Sequence, residues 1–298
     1  MQTQNPLSQV ITPWVHEVFG SFRKTLRTNL VLFLTALLSA PLDPTLSDLA
    51  RRTPLPSLAQ SRLNRLWRFL HHPTLQNPWT LTANLLPLIA PRVAQGGLLP
   101  ILVDWTSAED GKHQALVAAL PQGGRVLIAA FELHPLSPFP SKNRVEDAFI
   151  HRLGCLVQAL GYTPLFIFDR GFDRVLLMRK LKEWGMAFLI RPQRKRRVET
   201  SAGERFILGE RYPLVPKLER KRCYLSGHDQ SRVEVELYLA QGEREPWYLA
   251  FWSPQAWEPS KYRLRMRIEE GLRDLKGQGT GSGRGRVLWD GFGFWPWG

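Results

Sequence analysis

Residues 98–104 read Leu98-Leu-Pro-Ile-Leu-Val-Asp104, a short apolar run that ends in an acid. Such a run predicts a buried β-strand. Two further strands, at about 113–120 and 125–133, flank Pro121-Gln-Gly-Gly124, which is typical of a hairpin turn. The opening hairpin argues against a doubly wound nucleotide-binding fold, which begins with a βαβ unit.

The pattern continues with alternating helices and strands. Residues 142–160 have helical spacing, 164–168 form a fully apolar strand that ends at Asp169, 172–184 are helical and 186–191 form a last strand. This order of elements is that of the ribonuclease H-like fold, although a generic α/β domain shares part of it. We therefore predict an α/β protein with a ribonuclease H-like catalytic core.

Two further regions flank or interrupt this core. Residues 194–250 show strand-like alternation broken by glycines, which indicates a β-rich insertion. Residues 13–95 are predicted to be helical. Trp14 to Leu38 has apolar residues at helical spacing, and Thr45 is the N-cap of a second helix over about 45–52. Residues 53–57 break that helix, and a third runs from 57 or 58 to 70 with Arg62 and Arg65 on it. This outline is typical of a helix-turn-helix that contacts DNA, and a plain helical bundle remains the alternative.

The composition points to a polyanionic partner. Forty Lys and Arg against 26 Asp and Glu give a formal net charge of +14, which favours nucleic acid. The apolar run at 30–40 is too short to span a bilayer and too far from the first residue for a usual secretory signal. Cys155 and Cys223 give neither a disulfide framework nor a zinc motif, which fits a reducing cytosol. We expect no membrane partner.

Asp104 and Asp169 are the first candidates for chemistry, since each follows an apolar strand. Functional groups of open α/β sheets cluster at the edge where the C-terminal ends of the strands lie. A divalent cation offsets the desolvation of a carboxylate that is buried there. The alternative is that Asp169 only caps the helix that follows it.

The last predicted helix, about 261–276, carries an acid among cations on one face. At about 100° per residue, four residues of this helix fall within roughly 60° of one another around the helix axis. They are Tyr262, Arg265, Glu269 and Lys276, and Arg273 lies on the same stripe. Glu270 lies about 100° away, so the geometry selects Glu269. A solvated face joined by pairs such as Arg265–Glu269 remains the alternative.

The spacing Tyr-x2-Arg-x3-Glu-x6-Lys resembles the signature of the DDE transposases of the insertion sequence four type. The segments Leu102-Val-Asp104-Trp-Thr and Phe168-Asp169-Arg-Gly-Phe172 are also similar to that family, as is the position of the β-rich insertion. The resemblance spans about residues 15–277. It is specific at the C-terminal motif and loose in the N-terminal region.

The resemblance implies a bacterial, cytoplasmic, nucleoid-associated enzyme that cuts element ends and joins them to target DNA. Asp104, Asp169 and Glu269 would hold two Mg²⁺ ions, with Mn²⁺ as a substitute. The residues implied to contact DNA are Tyr262, Arg265, Arg273 and Lys276, with Arg62 and Arg65 in the N-terminal helices. The partners implied are the double-stranded terminal repeats, target DNA and a second copy of the chain in a DNA-bound homodimer.

These patterns predict a helical DNA-binding domain at 1–95, a catalytic domain at 96–277 with its insertion at about 194–250, and a tail at 278–298. Eight of the 22 residues from Gly277 onward are glycine, so the apolar helix usual in the family is not expected there. We expect the triad to form and full transposition to be impaired by this altered C-terminus. A non-catalytic DNA-binding remnant or repressor and a simple metal-dependent nuclease are the alternative functions.

Overall fold

The computed structural model describes most of the chain in eight stretches. They are residues 6–40, 44–108, 111–139, 141–214, 219–227, 231–241, 245–255 and 257–275. One compact unit contains the described residues up to Ile89, and a second comprises Ala90–Ser107 and Lys112–Gly271.

The first unit is helical throughout. Its helices are α1 (Pro6–Val18), α2 (Lys24–Leu38), α3 (Leu46–Arg52), α4 (Ala59–Leu70), α5 (Pro73–Gln76) and α6 (Pro78–Val93), the last of which runs past Ile89. The expected N-cap is confirmed, because Thr45 accepts a hydrogen bond from the Asp48 amide while the Asp48 carboxylate accepts one from the Thr45 amide. The helical stretch predicted from Trp14 to Leu38 is instead two helices that are separated at residues 19–23.

Two apolar clusters hold this unit together. One joins α1, α2, α4 and α5 through residues that include Val15, Leu26 and Phe69. The other joins α2, α3 and α4 through Ala36, Leu49, Ala50 and Leu66. This second cluster packs α3 against α4, so the two helices form a pair joined by a short break, as the sequence predicts.

The second unit is built on a mixed sheet with helices α7 (Lys142–Ala159), α8 (Val175–Glu183), α9 (Leu208–Arg211) and α10 (Met266–Leu275), the last of which runs past Gly271. Its first five strands are β1 (Leu98–Ser107), β2 (His113–Gln122), β3 (Arg125–Pro135), β4 (Thr163–Phe168) and β5 (Ala187–Ile190). The other five are β6 (Arg197–Thr200), β7 (Arg205–Ile207), β8 (Glu219–Ser226), β9 (Arg232–Gln241) and β10 (Pro246–Trp252).

Among the described residues the ten strands follow the order β3-β2-β1-β4-β5-β10-β9-β8-β6-β7. β1, β2 and β3 are antiparallel, whereas β4 pairs parallel to β1 and β5 parallel to β4. β10 pairs antiparallel with β5, so the strands of the predicted insertion continue the same sheet. The central strands β4 and β5 are almost wholly buried, as expected of apolar runs covered on both faces.

Most predicted elements of this unit are confirmed, including the hairpin, where Gly123 has a φ of 55°. Two predictions are wrong in detail. The helix expected from 172 is a 3₁₀ turn over Arg170–Phe172 followed by α8, and the last helix is a 3₁₀ segment over Pro259–Arg265 followed by α10. A 3₁₀ segment has three residues per turn, so the angle of about 100° per residue does not extend back to Tyr262.

Within the described stretches, no helix combines the length and the apolar character that crossing a bilayer requires.

Candidate active site

Asp104 lies just beyond the point where β1 and β4 separate. Their parallel ladder ends at the pair Leu102–Ile167, whereas β1 stays paired with β2 as far as Ser107. The sequence predicts that Asp104 lies at the end of its strand. In the structure β1 continues for three residues beyond Asp104, because it stays paired with β2. Its Oδ1 accepts a hydrogen bond of 2.9 Å from the Trp105 amide, which fixes the carboxylate.

Asp169 follows the last residue of β4 and caps the 3₁₀ turn. Its Oδ1 accepts a hydrogen bond of 2.8 Å from the Gly171 amide. A Cβ at position 171 would lie 3.0 Å from this oxygen, so the turn favours glycine there. Asp169 therefore does cap the turn that follows it, but the cap uses only Oδ1 and leaves Oδ2 for another contact.

Glu269 lies in the first turn of α10, one helical turn beyond Arg265. The two side chains form an ion pair between Arg265 Nη1 and Glu269 Oε1. The other terminal nitrogen, Nη2, lies 2.8 Å from Asp104 Oδ2 and 3.7 Å from Asp169 Oδ2. The three predicted acids, hereafter the acidic triad, therefore meet at one guanidinium.

The surroundings of the acidic triad oppose the ionisation of Asp104. Burial raises the pKa of its carboxyl to about 6, and the nearby Asp169 and Glu269 add to the rise. The Arg265 guanidinium and the Trp105 amide act in the opposite direction. The Arg265 side chain is itself only 11% exposed, and the surrounding acids raise its pKa.

Tyr262 points into the protein. Its side chain is buried, and its hydroxyl donates a hydrogen bond of 3.3 Å to the Phe168 carbonyl at the end of β4. Burial raises the pKa of this phenol to about 12. The hydroxyl thus ties the 3₁₀ segment to the strand that precedes Asp169, and contacting a DNA phosphate would require breaking that bond.

A divalent cation suits the chemistry of the acidic triad. Carboxylate oxygens are the donors that Mg²⁺ prefers, and three clustered acids need a cation to offset their mutual repulsion. In the part of the chain that the structure describes, no group of three or more His, Cys, Asp or Glu side chains is arranged as a metal site. The acids are arranged around a guanidinium instead. The donor set fits a metal ion in chemistry and charge.

A second buried network, which the sequence patterns do not predict, supports the strand that carries Asp104. Glu146 of α7 is 1% exposed and accepts hydrogen bonds from Trp105 Nε1 at 2.8 Å and from Arg174 Nη2 at 2.7 Å. Arg174 also pairs with Asp147. Burial raises the pKa of Glu146. The available sequence signal is an acid on the same helical face as the apolar Ile150 and Leu153.

Part of the β-rich insertion makes internal contacts. Arg196 donates to the buried Asp173 carboxylate and to the Ser226 carbonyl. Its neighbours Arg194, Lys195 and Arg197 are exposed. The dense basic run Arg194-Lys-Arg-Arg197 therefore offers three outward cations and one inward one.

The two arginines predicted to contact DNA from α4 also make internal bonds. Arg62 Nη1 donates to the carbonyls of Thr53 and Leu55, and Arg65 Nε donates to Asn29 Oδ1 at 2.7 Å. The side chains of α4 that share an exposed stripe at intervals of four are Gln60, Asn64 and Arg68. Of the other predicted DNA contacts, Lys276 lies outside the described residues and so does the side chain of Arg273.

The sequence profile of one protein family, described as transposase DDE domain, matches residues 140–288, half of the chain. The match contains Asp169, Glu269 and Lys276, begins after Asp104, and extends into the glycine-rich segment. No match to the chain was found among curated proteins.

Proposed function

The chain belongs to the transposase DDE domain family, and we propose that it is a DNA transposase that cleaves the ends of a mobile element and joins them to target DNA. Members of this family generally use divalent metal ions in transposition chemistry. The resemblance of Tyr262, Arg265, Glu269 and Lys276 to the insertion sequence four signature supports the narrower assignment to that type. Its partners are the terminal repeats and the target duplex, and it acts at the bacterial nucleoid in the cytoplasm.

The observation that carries this proposal is the convergence of the acidic triad. Asp104, Asp169 and Glu269 come from β1, the end of β4 and α10, and all three lie within ion-pair distance of Arg265. Acids that are far apart in sequence and share one cation in a partly buried site favour a metal-dependent phosphoryl-transfer centre.

The sheet order supports a ribonuclease H-like core for the catalytic domain, which we place at about residues 96–277. β1 is flanked by antiparallel β2 on one side and by parallel β4 on the other. This arrangement puts the chain segments that carry Asp104 and Asp169 on neighbouring strands. We place the DNA-binding domain in the helices of residues 1–95.

We assign the acidic triad to hold two divalent cations, normally Mg²⁺ with Mn²⁺ as a substitute. When bound, such a pair activates the attacking oxygen and stabilises the charge on the leaving oxygen at phosphorus. The protein holds the aspartates in place through backbone amides, which fix Oδ1 of Asp104 and Oδ1 of Asp169. Their Oδ2 atoms are thereby directed toward the centre of the site.

We assign to DNA the basic residues Arg265, Arg273 and Lys276. Arg265 suits a phosphate because its planar fork can donate two hydrogen bonds, and Arg273 and Lys276 continue the basic sequence. We assign Tyr262 to holding the 3₁₀ segment on β4. Arg62 and Arg65 serve DNA binding by fixing the orientation of α4. A DNA-bound homodimer is part of this proposal.

Nicking of a supercoiled plasmid in the presence of Mg²⁺ or Mn²⁺ tests the proposal. We expect Asp104→Asn, Asp169→Asn and Glu269→Gln each to lower the nicking rate by more than about 100-fold, since even outer-shell changes at metal sites cost about 10–100-fold. Glu270→Gln is the matched control, because the adjacent acid is exposed and lies outside the acidic triad. Unchanged nicking by Asp169→Asn would contradict the assignment.

The same reactions separate the alternative functions. Joining of an oligonucleotide with a free 3′-hydroxyl to the plasmid supports a transposase. Nicking without joining identifies a simple metal-dependent nuclease, and DNA binding without nicking identifies a non-catalytic remnant or repressor.

A further inference from the structure

The guanidinium of Arg265 sits at the centre of the acidic triad. Nη2 faces Asp104 and Asp169, and Nη1 faces Glu269. Only 11% of the Arg265 side chain is exposed, and its buried Nε has no hydrogen-bond partner within the described part of the chain. These contacts come from three separate elements, so they differ from a solvated pair on one helix face, which contributes little.

The aspartate oxygens that face Arg265 are the ones that remain for a cation. Oδ1 of Asp104 already accepts the Trp105 amide, and Oδ1 of Asp169 already accepts the Gly171 amide. Each aspartate therefore directs Oδ2 toward the centre, and each Oδ2 is an atom that lies near Arg265 Nη2. A metal ion held by both aspartates would need the same two Oδ2 atoms that now face the guanidinium.

We infer that Arg265 is the resident cation of the acidic triad in the metal-free, DNA-free protein, and that divalent cations must displace it in order to bind. The inference rests on the proposed function, since it concerns the same three carboxylates. The fork of an arginine suits this role because it offers separate donors to Glu269 and to the two aspartates, whereas a single ammonium group is a more compact point charge.

A DNA phosphate is the partner that can take the displaced guanidinium. Phosphate oxygens accept two N–H groups of the fork at once, and the long side chain reaches several positions from a fixed backbone. Arrival of DNA would thus release the carboxylates at the moment when the substrate is present. Metal binding and DNA binding become coupled through one side chain, and such coupling is reciprocal.

The test measures Mn²⁺ binding to the full-length protein without DNA, by isothermal titration calorimetry. Arg265→Met removes the guanidinium and keeps much of the side chain. We expect this variant to bind Mn²⁺ at least about tenfold more tightly than the wild type, within the usual range of coupling between sites. Adding Glu269→Gln to it should weaken the binding again, which shows that the ion is held by the acidic triad.

Arg267→Met is the matched control, because Arg267 is a neighbouring arginine of α10 that is not an ion-pair partner of the triad. It should bind Mn²⁺ as the wild type does. If Arg265→Met does not fold, Arg265→Gln, which also removes the positive charge, replaces it and should also bind Mn²⁺ more tightly than the wild type. Equal or weaker binding by the folded Arg265 variant, including no detectable binding, would overturn the inference.

The result is independent of catalysis. Tighter Mn²⁺ binding by Arg265→Met, together with a wild type that never nicks DNA, supports the inference and contradicts the proposed function. Nicking that depends on the acidic triad, together with unchanged Mn²⁺ binding by Arg265→Met, supports the function and contradicts the inference.

Discussion

At the scale of single residues, Asp104 is an acid whose ionisation the fold opposes. Burial is the main cause of its pKa of about 6, and Asp169 and Glu269 add to it against the effect of Arg265. A buried acid held against its preference, in a cluster with two other acids and a guanidinium, is typical of a functional site. Structural ion pairs alone would not require three acids to share one cation.

This environment predicts how stability depends on pH. The folded protein holds the Asp104 proton up to about pH 6, whereas the ordinary pKa of an aspartate is 3.8. The unfolded chain therefore binds fewer protons between these values, and the Asp104 contribution to stability is present at low pH and lost as pH rises through about 6. The difference in unfolding free energy between wild type and Asp104→Asn should fall by about 2 kcal/mol from pH 4 to pH 7.

Urea denaturation in the presence of a chelator at several pH values measures this difference. Asn at position 104 cannot titrate, so the comparison cancels the ionisable groups that lie far from the acidic triad. A difference that stays constant between pH 4 and pH 7 would show that Asp104 is not held in the buried, acidic environment described above.

At the scale of secondary-structure elements, α4 carries two sets of polar side chains. One set binds α4 to its neighbouring segments, and the other set faces outward. Arg62 and Arg65 bind the preceding loop and α2, while Gln60, Asn64 and Arg68 form the exposed stripe. Amide and guanidinium groups are the ones that read base edges in the major groove. The stripe is therefore the better candidate for direct DNA contact.

We expect Asn64→Ala to weaken binding to a preferred duplex by about 1–3 kcal/mol without lowering the thermal stability of the protein. Arg65→Ala should instead lower thermal stability, since it removes the bond to Asn29. The preferred duplex is obtained by selection from random double-stranded DNA. Weaker DNA binding by Arg65→Ala at unchanged stability would assign the direct contact to Arg65.

Local elements could be predicted from the sequence where the signal is local. The Thr45 cap, the turn at Gly123 and the apolar strands β1 and β4 depend on neighbouring residues, and the structure contains all of them. The 3₁₀ segment before α10 was not predicted, because a period of 3.6 fits the same residues until the strand that binds Tyr262 is known.

At the scale of the whole molecule, the net charge of +14 predicts salt-dependent binding to DNA. Each phosphate that is neutralised contributes about 0.9 to the slope of log affinity against log salt. The outward cations of the insertion, Arg194, Lys195 and Arg197, are candidates for such contacts. Replacing all three with Gln should reduce the magnitude of the slope by roughly two to three, because three phosphates would no longer be neutralised.

Fluorescence anisotropy with a labelled duplex at several salt concentrations measures this slope. Arg196→Gln is the matched control, because Arg196 pairs with the buried Asp173 and should affect stability more than the slope. An unchanged slope in the triple variant would show that this part of the insertion does not contact the DNA backbone.

The contacts between distant segments could not be predicted from the sequence. Glu146 and Trp105 are 41 residues apart, and their hydrogen bond depends on how α7 packs on the sheet. The sequence pattern places Arg265 beside Glu269, and only the fold brings Asp104, which is 161 residues from Arg265, to the same guanidinium. The residues of the candidate site were therefore predictable from a motif, but their shared cation was not.

We propose that Asp104, Asp169 and Glu269 form one site for divalent cations, and affinity cleavage with Fe²⁺ tests this most directly. Iron bound in place of Mg²⁺, in the presence of ascorbate, peroxide and duplex DNA, generates radicals that cut the nearby backbone. We expect cuts close to residues 104, 169 and 269, all suppressed by excess Mg²⁺ and by Glu269→Gln. Cuts that miss any of the three segments, or that persist in Glu269→Gln, would contradict the claim.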